Sequence, residues 1–126
     1  MKMFEQIGEF KPDSLIAGNE FPMLKEGIGL KAGQGVLKRG SLIVKSENAG
    51  YIAGSTGIEG KVFGILTDDC DTGTDGSADN IPVTVYLTGE FNRAAVHVSG
   101  EGKTVEDYED DMKSAGIYLR SVQKYE

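Results

Sequence analysis

At 126 residues and 13.5 kDa the chain is one domain's worth of sequence, long enough for a modest core. Its net charge of −7 is unevenly placed: residues 1–66 hold 8 basic and 7 acidic side chains, residues 67–126 hold 5 and 13. The acidic half excludes the electrostatic footprint of a nucleic-acid binder, the single Cys70 excludes an intrachain disulfide, and no apolar run approaches the ~18 residues of a membrane span.

Residues 1–26 contain Phe4, Ile7, Phe10, Leu15, Ile16, Phe21, Met23 and Leu24 without sustained periodicity, and Pro12, Gly18 and Pro22 break any helix or central strand. That many large apolar residues is unusual for a solvated tail. The segment therefore reads as an arm, flexible when free, that orders against a neighbour or partner. The acids near its start stand where a signal peptide needs an apolar run, which predicts a soluble product made in a cytoplasm.

From residue 27 to 126 the chain reads as a single β-rich domain. Glycine, at 18 residues, is about twice its usual share and has no collagen period, so turns and bulges are expected throughout. Val36 to Lys45 predicts two strand pieces around a turn at Lys38–Gly40, and Asn48–Gly50 a second turn before Tyr51 and Ile52. Lys61 to Thr67 is an apolar strand containing a glycine. Asp68 to Asn80 is polar and glycine-bearing, hence an exposed loop, and it makes the Phe63 and Val83 strands a long-looped hairpin.

The stretch from Ile81 to Arg93 organises the rest. Val83, Val85 and Leu87 alternate with Thr84, Tyr86 and Thr88, the period of a strand with one buried face. Gly89 interrupts the pattern, marking a bend or a close backbone approach, and Glu90–Arg93 resumes it. Ala94 to Ser99 reads as one more alternating piece. The one helix starts at Thr104, where Thr104-Val-Glu-Asp107 approximates a capping box. Val105, Tyr108, Met112 and Ala115 make a narrow apolar stripe, Gly116 ends the helix, and Ile117–Val122 returns as a strand. The fold class is mainly β with one C-terminal helix, an α+β domain.

Candidate chemistry is thin. The Asp68–Asn80 loop has clustered carboxylates, but from Asp69 the position needing glycine holds Thr74 and the twelfth residue is Asn80, so calcium-loop spacing fails. Gly27-Ile-Gly-Leu-Lys-Ala32 formally matches a dinucleotide-binding pattern, yet the glycines after it exclude the required helix. His97 is the only histidine, which makes a poor zinc site, and a dyad with Cys70 would need a loop thiol to meet its strand by chance. The Glu106–Asp111 run could pair carboxylates for acid–base work, but solvated carboxylates are the default where no apolar pocket raises a pKa. No catalytic residue, metal site or cofactor is expected.

Tyr86-Leu-Thr-Gly-Glu-Phe-Asn-Arg-Ala-Ala95, Phe63-Gly-Ile-Leu66, Gly33-Gln-Gly-Val-Leu-Lys-Arg-Gly40 and Gly116-Ile-Tyr-Leu119, with Phe10-Lys-Pro-Asp-Ser-Leu-Ile-Ala-Gly18 ahead of them, run in one order across residues 10–122. In these segments the chain resembles the head decoration proteins of tailed bacteriophages, the family of the lambda decoration protein D. The resemblance implies a small glycine-rich, barrel-like (β-clip or β-tulip) domain. It also implies a non-enzymatic cement protein that binds the expanded head as homotrimers at three-fold sites, on the outer surface of the virion, and stabilises it against packaged DNA. The implied partner is the major capsid protein lattice, with no nucleic acid or membrane. The implied capsid-binding arm is Phe10, Lys11, Pro12, Asp13, Ser14, Leu15 and Ile16, acting by strand addition. The alternative is a small β-rich enzyme or ligand-binding domain with an unrecognised site.

Overall fold

In the computed structural model, which describes residues 15–18, 23–54, 60–99 and 104–120, alternation along single strands separates two hydrophobic cores. Ten strands and one helix are described: β1 (Ile16–Gly18), β2 (Lys25–Leu30), β3 (Val36–Leu37), β4 (Leu42–Ser46), β5 (Ala49–Ile52), β6 (Lys61–Leu66), β7 (Cys70–Asp71), β8 (Ile81–Tyr86), β9 (Gly89–Asn92), α1 (Glu109–Ala115) and β10 (Ile117–Arg120). Five of them close a barrel in the order β2-β5-β4-β6-β8, and β1-β9-β10 form a separate three-stranded sheet. The domain is mainly β with one C-terminal helix and a small closed barrel.

Successive side chains on a strand point to opposite faces, so neighbours in sequence serve different cores. Ile43, Leu66 and Val85 join Leu30 and Leu37 in one cluster, with Ile28, Ile52, Phe63 and Val83 packed against it. Every barrel strand contributes, which makes this cluster the barrel interior. Leu42, Val44, Ile65 and Tyr86 point the other way and meet Leu15, Phe91, Met112, Ile117 and Leu119. That second core glues the barrel to the three-stranded sheet and α1.

The long-looped hairpin is present: β6 and β8 pair antiparallel, Ile65 opposite Tyr86 and Leu66 opposite Val85. Gly64 lets them approach, since a Cβ there would lie 2.5 Å from the Tyr86 carbonyl oxygen and 2.8 Å from Val85 Cγ2. Backbone cannot yield as a flexible side chain can, so Gly64→Ala is expected to cost about 1–3 kcal/mol or more by overpacking. A urea unfolding midpoint equal to that of the parent would contradict this.

Gly89 is where the chain leaves the barrel. Its φ of +146° is a conformation that residues with a Cβ rarely adopt, and it separates β8 in one sheet from β9 in another. The expected bend is there. β9 is buried along its whole length, with antiparallel β1 on one side and parallel β10 on the other.

Several expectations need correction. Ala94–Ser99 is not a strand: the Asn92 side chain accepts the Ala94 N–H at 3.1 Å, a 3₁₀ turn follows over Arg93–Ala95, and only His97 bridges, to Ser41. The turn after β4 falls at Glu47 and Asn48, whose φ values of 53° and 76° fit a two-residue hairpin, so Ala49 and Gly50 already belong to β5. The helix is shorter than its stripe, because Val105–Tyr108 is 3₁₀ and Tyr108, at φ −109° and ψ 0°, precedes α1. Met112 is fully buried, Val105 and Tyr108 pack against the second core, and Ala115 is exposed. Asp107 accepts the Thr104 N–H at 2.7 Å, and Gly116 ends the helix left-handed, as expected. Within the Asp68–Asn80 loop, which is otherwise exposed, β7 pairs with β3 and Thr72 is buried.

The division at residue 26 also moves. β2 starts at Lys25 and pairs with β8 from there to Leu30, while Leu15 is 1% exposed and lies in the second core. Leu15 and residues 16–18 are part of the packed body. Among the described residues, no helix is long and apolar enough to cross a membrane.

Candidate functional site

Of the seven arm residues, Phe10, Lys11, Pro12, Asp13 and Ser14 lie outside the described residues. Leu15 and Ile16 are inside them, and the structure fixes both. The Leu15 carbonyl accepts the Asn92 N–H at 2.7 Å, its side chain is buried, and Ile16 opposes Phe91 in register. β1 is thus a short edge strand held by a buried leucine at its head.

The four other segments that carry the resemblance converge on the same place. Ile117, Tyr118 and Leu119 pair in parallel with Gly89, Glu90 and Phe91. Ile65 opposes Tyr86, and Tyr86 and Phe91 meet with ring centroids 5.5 Å apart. Arg39 donates from Nη1 to the Tyr86 hydroxyl at 3.1 Å and to the Thr67 carbonyl at 2.8 Å, and the Gly40 N–H donates to the Leu66 carbonyl at 3.0 Å. Glu90, 4% exposed, is the one buried carboxylate among the described residues. Its Oε2 accepts from Arg120 Nη2 at 2.6 Å and Nε at 3.0 Å, which clips β10 to β9.

In the acidic run two of the carboxylates, Glu106 and Glu109, face a guanidinium. Arg93 forks onto Glu109 with two bonds of 2.7 Å and reaches Glu106 at 3.5 Å. Hydrogen bonding from Arg93, and then its charge, hold the Glu109 carboxyl below the ordinary carboxylate range. The linkage follows from that direction: the contribution to stability is present above the unfolded value of about 4.3 and is lost as pH falls through the folded value. Melting temperatures of the parent and Glu109→Gln should differ at pH 6 and converge as the pH drops well below 4 (roughly, from the same reference value). A difference that persists unchanged in acid would refute the pairing as its source.

The remaining candidates are separate. His97 is exposed and lines an open cleft of about 580 Å³ with Arg93, Thr104, Val105 and Glu106. Cys70 lines a different cleft, beside Asp69 and Thr84, and burial and Asp71 push its thiol pKa up, away from the nucleophilic thiolate. The structure does not bring the two into one site. In the acidic loop three carboxylates are engaged by backbone N–H groups: Asp71 accepts that of Gly73 at 2.9 Å and Asp75 that of Ser77 at 2.9 Å within the loop, and Asp69 that of Arg39 outside it at 2.8 Å. Among the described residues no three His, Cys, Asp or Glu are grouped to hold a metal ion.

Sequence reasoning passed over the Arg93–Glu109 and Glu90–Arg120 pairs, each joining residues at least 16 apart. It also passed over β2, whose inward residues Ile28 and Leu30 alternate with glycines that read as a nucleotide motif. No protein-family model matches the chain, and no curated protein matches it.

Proposed function

We propose that this chain is a non-enzymatic capsid decoration protein of a tailed bacteriophage, a cement that binds the expanded head as trimers at three-fold sites. One observation carries the reading. Five segments separated by tens of residues share a resemblance to that family, and each has described residues (Ile16, Arg39, Ile65, Phe91, Leu119) that pair with or bond to the junction around Tyr86, Glu90 and Phe91. Their convergence supports reading the likeness as one of fold and not only of isolated strand and turn residues.

The implied mechanism suits the body described. β1 is a short strand fixed by Leu15, and the implied arm is the sequence that immediately precedes and includes it. A segment that pairs with a strand of the capsid lattice gains main-chain hydrogen bonds, with alternate side chains supplying specificity. One such contact is weak because ordering it costs free energy. Three from one trimer act at high effective concentration and hold together.

The cleft beside His97 supports the alternative of a ligand-binding domain, but its strongest cation, Arg93, is already forked onto Glu109. The decisive experiment mixes the purified protein with undecorated expanded heads and images them. Density at the three-fold sites, together with a solution mass near three times 13.5 kDa, is the expected result. Bare heads at saturating protein would overturn the proposal.

A further inference from the structure

The barrel closes unevenly, and among the described residues one edge of β2 is left without a partner strand over Lys25–Gly27. On one side β2 pairs with β8 over six residues, but on the other it meets β5 only at Leu30, opposite Gly50, because β5 ends at its hairpin turn. The Leu24 carbonyl accepts the Leu87 N–H at 2.6 Å, so residue 24 bonds toward the β8 side. Backbone direction alternates along a strand. Hence Glu26, Ile28 and Leu30 also bond toward β8, while Lys25 and Gly27 point their N–H and C=O groups away from it. Lys31, two residues past Gly29, confirms the phase by donating to the Gly50 carbonyl at 3.0 Å. Among the described residues no strand pairs with Lys25 or Gly27 on that side.

The barrel's matching edge is guarded and this one is not. β8 beyond β6 contains Pro82, which has no N–H to offer on the outward side. β2 has no proline. Gly27 is exposed, and a Cβ there would meet only the Val83 carbonyl oxygen, at 3.6 Å. Beside it, Met23 and Leu24 are 39% and 57% exposed, two of the three large hydrophobics left in solvent among the described residues.

Charge says what fits. On the face of Gly27, Lys25 stands over the Tyr86 ring and Lys31 donates to the Gly76 carbonyl at 2.7 Å. Among the described residues neither forms an ion pair, although Asp75 lies near Lys31. Glu26 shares the opposite face with Ile28 and Leu30. In a chain of net charge −7 this rim carries a lysine at each end, with bare glycine between them and the exposed apolar pair Met23 and Leu24 just before Lys25.

We infer that the Lys25–Gly29 edge of β2 is a second docking site, which takes an extended acidic segment of another protein by strand addition. The added strand places a bulky side chain over Gly27, an apolar one against Leu24, and carboxylates near Lys25 and Lys31. This site is distinct from β1 and does not depend on the decoration reading.

The test uses the full chain and the capped peptide Glu-Thr-Tyr-Thr-Phe-Thr-Glu. Controls are the same peptide with alternate amides N-methylated, and one with lysine in place of glutamate. Binding is followed by calorimetry and by amide NMR with hydrogen exchange. The expected result is saturable binding, with shifts and new amide protection at Lys25 and Gly27, weakened about tenfold or more by Gly27→Pro and by either control peptide. The proline removes an outward N–H and fixes φ at about −65°, which edge strands tolerate, so a folded variant is expected; if it does not fold, Lys25→Glu combined with Lys31→Glu carries the same test. Absence of binding at millimolar peptide, equal binding to the folded variants, or shifts confined to Ile16–Gly18 would overturn the site. Self-association abolished by Gly27→Pro would overturn the occupant, making it a second copy of this chain.

Discussion

Phe91→Ala should destabilise the protein by about 3–5 kcal/mol, the cost of truncating a large aromatic that is packed on all sides. Phe91 is fully buried in the middle of β9 and touches both flanking strands in register, Ile16 on one side and Leu119 on the other. Its ring also meets Tyr86, the last residue of β8, so it stands where barrel, sheet and helix layers join. The site cannot collapse easily, because its walls are strands held by their own ladders. Marginal stability of about 5–15 kcal/mol leaves such a variant partly unfolded near physiological temperature. By contrast, Val36→Ala, at a side chain 56% exposed, should shift stability by no more than about 0.5 kcal/mol. Urea titrations of both variants check the contrast, and similar midpoints would show that β9 is not the junction described.

What was legible in the sequence was local, and what was not was long-range. The period of two over Val83–Tyr86 placed β8, and Gly89 marked a bend that the structure contains; Gly64 was legible only as a glycine within a strand, and its close approach to Tyr86 depends on the partner strand. The helix stop at Gly116 was equally local. β10 was legible as a strand, but nothing near it reveals that it runs parallel to β9, a partner 28 residues earlier. Glu90 reads as a solvent-facing charge in an alternating stretch. Only Arg120 and the burial of β9 on both sides explain its place inside. The Asn92 side chain turned an apparent strand at Ala94–Ser99 into a 3₁₀ turn, a local hydrogen bond competing with the ladder. Of the arm residues, Leu15 and Ile16 were hidden among prolines and glycines that break periodicity, and their strand pairs with β9, more than 70 residues away.

The burial of Leu15 turns the arm into a question with two separable answers, and cutting the chain at two places should give opposite results. A protein starting at Leu15 keeps the buried leucine, the β1–β9 pairing and the Leu15 carbonyl that accepts from Asn92. Its thermal unfolding should match the parent closely. A protein starting after Gly18 loses all three and opens a cavity in the second core beside Gly40 and Phe91. Leu15→Ala alone should cost about 2–5 kcal/mol, and removal of the whole strand at least as much. On the decoration reading the first truncation carries the functional effect: with Phe10–Ser14 gone and the body intact, occupancy of expanded heads should collapse. In that reading each trimer would carry three arms, so losing even a modest contact from each would compound into a loss of avidity of about 10²–10⁴. The two readouts keep stability and function apart. A chain starting at Leu15 that unfolds early would place residues 1–14 in the structural core, whereas one that folds and still decorates heads fully would leave the capsid contact to some other surface.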